Sequence, residues 1–96
     1  MDLVVAYDVS TESREGRKRL RQVSQACLNH GQRVQFSVFE CRVTEAEWVR
    51  FRDVLVRIVN EKEDSIRVYR LTGNHNDSVW CIGIDRYRDF DDPLII

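Results

Sequence analysis

Asp8 is the residue whose type and position are best suited to chemistry. It follows a continuous apolar run from Leu3 to Tyr7, which predicts a central strand covered on both sides. A carboxylate that closes such a strand emerges at the edge of the sheet, where it can bind a hard cation such as Mg²⁺ through oxygen. The alternative is that Asp8 only caps the following turn or pairs with an arginine.

A single Asp8 is too few ligands for a metal site. Mg²⁺ usually keeps several waters and takes one or two carboxylates together with substrate phosphates. A dimer could bring two copies of Asp8 together across a twofold axis, one from each subunit. The sequence therefore predicts that Asp8 acts as a pair if it acts chemically.

Four basic residues form the second candidate, and we call them the basic stripe: Arg14, Arg17, Lys18 and Arg21. Their i, i+3, i+4, i+7 spacing places them on one face of a helix, where they could span the phosphates of a nucleic acid. The net charge of the chain is only −1, but few acids lie near the stripe. A solvated helix face is the alternative interpretation.

The cysteines and histidines indicate no further site. Cys27, Cys41 and Cys81 are widely spaced and form no CxxC motif, so we expect buried, reduced thiols. His30 and His75 have no spacing that would build a catalytic triad.

The elements that must position Asp8 and the basic stripe alternate between strands and helices. The stripe lies in a helix predicted from Arg14 to His30, with Gly31 as its C′ residue. Residues 32–43 are predicted to be extended, but their apolar phase flips after Val38. Such a flip indicates a bulge, a sharp bend or a very tight turn between two short strands.

The second half of the chain begins with a capping box at Thr44 and Glu47, followed by a helix to about Asn60. Strands are predicted for residues 65–71 and 79–84, with a loop at 72–77 between them. If the second strand is split, the order is a ferredoxin-like α+β βαββαβ fold with one extra C-terminal strand. The last strand is apolar on both faces, which favours a partner subunit.

The length of 96 residues fits a single domain spanning the whole chain. No run approaches the roughly 18 apolar residues of a membrane span, and the first residues lack the features of a signal peptide. We therefore expect a cytoplasmic protein that does not enter a membrane.

Three segments together resemble a known family: VAYDVS at 5–10, GRKRLR at 16–21 and GQRVQFSVFEC at 31–41. These resemble the CRISPR-associated protein 2 family, the small nuclease-like subunit of spacer acquisition. The segment DSIRVYRL at 64–71 matches the family's later strand. The resemblance covers the chain up to about Ile84.

The resemblance implies a homodimer of ferredoxin-like domains in which the C-terminal segment, here 85–96, contacts the partner subunit. It implies that Asp8 is the catalytic residue and binds the metal, Mg²⁺, for hydrolysis of RNA or double-stranded DNA. It also implies that the CRISPR integrase is a partner, and that Arg17 and nearby basic residues contact the nucleic acid. The competing interpretation is a non-catalytic dimeric adaptor that bridges integrase dimers and DNA.

Overall fold

The computed structural model describes residues 1–71 and 79–84. The predicted loop at 72–77 and the C-terminal segment at 85–96 lie outside these residues. The elements in chain order are β1 (Asp2–Asp8), α1 (Arg14–Leu28), β2 (Gly31–Gln35), β3 (Val38–Arg42), α2 (Glu45–Ile58), β4 (Ser65–Arg70) and β5 (Val79–Gly83). This order confirms the predicted ferredoxin-like α+β fold with an extra strand.

All strands join one antiparallel sheet in the order β2-β3-β1-β4-β5. The apolar run of β1 explains its central position, since alternate residues of a strand point to opposite faces. Val5 lies between Phe39 of β3 and Val68 of β4, and all three are buried. They belong to one core with the apolar sides of α1 and α2.

The opposite side of the sheet, which we call the open face, is only partly covered within one chain. One row across it runs Val38, Ala6, Arg67 and Cys81 in register. Val4 and Ala6 of β1 are half-buried, whereas Leu3, Val5 and Tyr7 are buried. The expectation that β1 is covered on both sides is therefore wrong for the single chain, because both helices pack on the same face of the sheet.

Helix α1 is shorter than predicted at its C-terminal end. Ser13 is its N-cap, and its side chain accepts a hydrogen bond from the Gly16 amide at 3.0 Å. Asn29 is the C-cap, so the expectation that Gly31 is the C′ residue is wrong. Gly31 instead opens β2, where a Cβ atom would clash with the backbone carbonyl of Glu40.

Residues 32–43 form two strands joined by a very tight turn at Phe36 and Ser37. The register between β2 and β3 also shifts between Arg33 and Gln35, which is a bulge. The phase flip in the sequence therefore has two causes, a turn and a bulge, which the apolar pattern could not separate.

Helix α2 begins with the predicted capping box. The Thr44 hydroxyl accepts a hydrogen bond from the Glu47 amide at 3.2 Å, and the Glu47 carboxylate accepts one from the Thr44 amide at 2.9 Å. Trp48, Phe51 and Leu55 form its buried face. Within the described residues, neither helix has the length and apolar character needed to cross a membrane.

Candidate active site

Asp8 is the last residue of β1 and lies opposite Ser65 of β4. Its side chain is exposed and points to the open face, because Leu3, Val5 and Tyr7 point to the core. It lines a shallow depression of about 490 Å³ together with residues 9–12, Lys62, Glu63 and Ile84. The sequence predicted Asp8 at the edge of the sheet where the first strand ends, and the structure places it there.

The loop behind Asp8 is held in place by a buried carboxylate, Asp64. The Asp64 side chain is fully buried and accepts a hydrogen bond from the Ser10 amide at 3.1 Å. It accepts two more from the Asn60 amide at 3.0 Å and from Arg19 Nε at 2.7 Å. One carboxylate thus connects the loop after β1, the turn before β4 and helix α1.

The end of β5 is tied to the same residue through the backbone. The Asp64 carbonyl accepts a hydrogen bond from the Ile84 amide at 2.8 Å. Gly83 has a φ of 94°, a conformation that glycine adopts without steric cost, and a Cβ atom there would clash with that carbonyl. The wall of the depression that contains Ile84 is therefore fixed relative to the loop after Asp8.

The charges around Asp64 determine its protonation. Burial alone would raise the pKa of Asp64, but hydrogen bonds from Arg19, Asn60 and Ser10 outweigh it, so the pKa lies below its ordinary value. The hydrogen bond to Asp64 in turn raises the pKa of Arg19. Asp64 is therefore ionised at neutral pH, and a buried ion pair stands behind the exposed carboxylate.

Neither Asp64 nor Arg19 was singled out from the sequence, although one signal pointed to Arg19. Arg19 follows Gly16 by three positions and precedes Val23 by four, so it falls on the buried side of α1. A cation on the buried side of a helix requires a buried partner. The position of that partner, 45 residues later, could not be found from spacing.

The described part of the chain offers few ligands for a metal ion. Among the described residues, no group of three or more His, Cys, Asp or Glu side chains could hold a metal ion. The Asp8 carboxylate supplies the oxygen donors that Mg²⁺ prefers, so it fits a metal held jointly with other ligands. Glu12 and Glu63 line the same depression as Asp8, and Lys62 places a positive charge there.

The basic stripe is exposed along α1, as predicted: Arg14, Arg17, Lys18 and Arg21 are all accessible to solvent. Arg17 is connected to the loop after Asp8, because its Nη1 donates a hydrogen bond to the Thr11 carbonyl at 3.3 Å. Arg21 instead lines a separate groove between α1 and β2. The structure therefore links one end of the stripe to the Asp8 loop and does not gather the stripe around Asp8.

Two of the three cysteines match the expectation of buried thiols. Burial raises the pKa of Cys27 to about 12 and that of Cys41 to about 11, so both remain protonated and unreactive. Cys81 is exposed on the open face, and the expectation was wrong for this residue in the single chain.

Comparison with known proteins gives a consistent result. The family model described as CRISPR associated protein Cas2 matches residues 1–79. The chain is 45% identical to "CRISPR-associated endoribonuclease Cas2 1" of Moorella thermoacetica, over 100% of both chains. It is 45% identical to "CRISPR-associated endonuclease Cas2" of Halalkalibacterium halodurans, over 99% of both chains.

Solved structures share the fold. The crystal structure of Streptococcus pyogenes Cas2 superposes with a TM-score of 0.70 and is 56% identical, covering 75% of this chain and 87% of that one. A hypothetical protein of Thermus thermophilus, TT1823, superposes with a TM-score of 0.65 at 29% identity, covering 75% of this chain and 82% of that one.

Proposed function

The chain belongs to the CRISPR associated protein Cas2 family, and on that premise we propose that it is a metal-dependent endonuclease of spacer acquisition. It hydrolyses phosphodiester bonds of RNA or double-stranded DNA in the cytoplasm and works with the CRISPR integrase. The names of its relatives support a nuclease, since they include both an endoribonuclease and an endonuclease. The observation that carries the proposal is the exposed Asp8 at the end of β1, next to a loop held by buried Asp64.

In the proposed mechanism, two Asp8 carboxylates, one from each subunit, would be the protein ligands of Mg²⁺. The bound ion would polarise a phosphate oxygen, lower the pKa of a water molecule and neutralise charge in the transition state. Arg17, Lys18 and Arg21 bind flanking phosphates through charge-assisted hydrogen bonds, with Arg14 at the start of the row. Arg17 also keeps the loop after Asp8 in place through Thr11.

We propose that the homodimer forms through the open face. This face carries half-buried Val4, Ala6 and Val79 and the exposed Cys81, with Arg67 between Ala6 and Cys81 and Glu40 opposite Val4. A second copy would cover its apolar part. Asp8 lies on the same face at the end of β1, and the proposal requires a twofold axis that passes near this end of the strand. The segment 85–96 and the integrase subunit complete the proposed set of contacts.

The test is cleavage of single-stranded RNA and of double-stranded DNA by wild type and Asp8→Asn, with Mg²⁺ and with a chelator. Asp8→Asn removes one carboxylate charge from each subunit, so we expect cleavage to be abolished while the dimer persists in light scattering. Chelation should abolish wild-type cleavage. Glu12→Gln is the matched control, because Glu12 is an exposed acid in the same depression, and it should retain activity. Undiminished Mg²⁺-dependent cleavage by Asp8→Asn would refute the proposal.

One observation favours the adaptor as a second candidate. Lys62 lines the depression that contains Asp8, and its ammonium group disfavours a divalent cation there. In this case the dimer is a scaffold between integrase dimers and DNA, and Asp8 is dispensable or structural. Spacer acquisition in cells that carry Asp8→Asn separates the two: acquisition that survives supports the adaptor, and acquisition that fails contradicts it.

A further inference from the structure

A groove separate from the Asp8 depression lies between helix α1 and the β2–β3 hairpin. Its volume is about 390 Å³, at the lower end of the ~300–1,000 Å³ of small-ligand clefts. Leu20 and Leu28 form apolar walls, and Arg21 and Arg33 contribute positive charge. Phe36, at the hairpin turn, also lines it. No acidic side chain lines the groove within the described part of the chain.

Phe36 is the unusual member of this lining, because 79% of its surface is exposed. The guanidinium carbon of Arg33 lies 5.8 Å from the Phe36 ring centroid and 5.1 Å from that of buried Phe39. Arg33 is thus held against two rings by cation–π attraction. An exposed ring beside a fixed guanidinium is the arrangement on which proteins stack the bases of single-stranded nucleic acids.

The charge around the groove identifies the kind of ligand. Arg21 belongs both to the groove and to the basic stripe, so phosphates bound along α1 would lead a strand into the groove. A duplex presents its phosphates to such a stripe but keeps its bases stacked inside, and only an unpaired base can reach Phe36. An acidic, apolar protein segment would use Arg21 and Arg33 but would not need the planar ring.

We propose that this groove binds one unpaired nucleobase, stacked on Phe36, of a strand whose phosphates lie along the basic stripe. The inference rests on nucleic-acid binding in the proposed function, but it does not depend on cleavage at Asp8. The groove would make binding selective for unpaired positions of a strand, which the basic stripe alone does not do.

The test compares affinity for a short single-stranded DNA containing a fluorescent adenine analogue with affinity for a blunt duplex of the same sequence. Phe36→Ala should weaken single-strand binding by roughly 5- to 150-fold, the equivalent of stacking one base, and leave duplex binding unchanged. Stacking quenching of the analogue should occur with wild type and be lost with Phe36→Ala. Phe36→Tyr keeps the ring and should bind like wild type.

Two controls separate stacking from general damage. Val34→Ala removes an exposed apolar side chain of the same hairpin that does not line the groove, and it should change neither affinity. Circular dichroism should show that Phe36→Ala is folded, since the ring is largely outside the core.

The outcomes distinguish this inference from the proposed function. If the double variant Arg17→Ala, Lys18→Ala weakens binding of both probes while Phe36→Ala weakens binding of neither, the groove does not bind a base. A protein partner is then the remaining ligand for the groove. An equal loss on both probes with Phe36→Ala also overturns the inference, because it shows no selection for single strands. If wild type binds neither probe, both proposals fail. Loss of cleavage without loss of binding in Asp8→Asn leaves both intact.

Discussion

At the scale of single residues, the molecule separates an exposed carboxylate from the buried one that supports it. Asp8 is accessible to solvent, and the apolar run before it in the sequence identified it as a candidate site residue. Asp64 is fully buried and accepts hydrogen bonds from three parts of the chain. Arg19 bonds both Asp64 and the half-exposed Glu63, so two acids share one cation in different surroundings. Because both acids pair with Arg19, comparing them tests how burial of an acid changes its contribution to stability.

Asp64→Asn should lower the free energy of unfolding by about 3 kcal/mol, because it leaves the poorly exposed Arg19 charge without its closest partner. Glu63→Gln removes the same charge from a half-exposed position and should cost less than about 1 kcal/mol. Urea denaturation of both variants measures the difference. Equal losses would mean that burial of Asp64 does not determine its contribution.

The same variant has a pH signature whose sign follows from the lowered pKa of Asp64. A carboxyl group with a folded pKa below its unfolded value stabilises the fold above the unfolded pKa of about 4. That contribution is lost as pH falls through the folded pKa. Wild-type stability should therefore fall more steeply below about pH 4 than that of Asp64→Asn. Parallel pH profiles would argue against an ionised Asp64 in the fold.

At the scale of elements, the sequence predicted the helix ends that neighbouring residues determine. It failed at the positions where contacts with a distant part of the backbone determine the structure. The capping box at Thr44 and Glu47 fixed the start of α2 within one turn, and the prediction was correct. Gly31 carried an equally familiar helix-end signal, yet it opens β2, because the backbone of Glu40 packs against it. The sequence offered a bulge after Val38 as one alternative, whereas the register shifts between Arg33 and Gln35, because a register depends on the opposite strand.

The capping box gives a prediction for one element. Thr44→Ala removes the hydroxyl that accepts a hydrogen bond from the Glu47 amide. It should lower the free energy of unfolding by about 1 kcal/mol. Thr44→Ser keeps the hydroxyl and should retain most of the stability. Thermal unfolding of the three proteins measures the series, and a loss in Thr44→Ser as large as in Thr44→Ala would contradict the capping role.

At the scale of the whole molecule, the open face explains why the sequence pattern of β1 and β5 did not fit a single chain. Both strands are apolar on two sides, and the two helices cover only one of them. The pattern indicates a second cover, which stays a prediction, and no spacing could say that Cys81, Ala6 and Val38 would share one row. Register across four strands is a property of the assembled sheet, and it places Cys81 as a reporter on the proposed interface.

Thiol labelling of the native protein should therefore depend on protein concentration. One thiol per chain, that of Cys81, should react in dilute protein, whereas Cys27 and Cys41 stay protected by burial and raised pKa values. Labelling should slow at higher concentration as a second subunit covers the open face. Ala6→Lys, which adds a cation next to Arg67, should restore fast labelling at high concentration.

Val54→Lys is the matched control, since Val54 is an exposed valine on α2, away from the open face. It should label with the same concentration dependence as wild type. Labelling of Cys81 that is independent of concentration in wild type would place the dimer interface elsewhere.

The hydrogen bond between Ser10 and Asp64 has a consequence for the order of events during synthesis. The two residues are 54 positions apart, a distance that a ribosome covers in roughly 3 to 11 s at ~5–20 residues per second. The central strand is likewise translated before both of its neighbours, β3 and β4. A nascent chain therefore carries Asp8 for seconds beside an unanchored loop, and its surroundings become fixed only after Asp64 has been added.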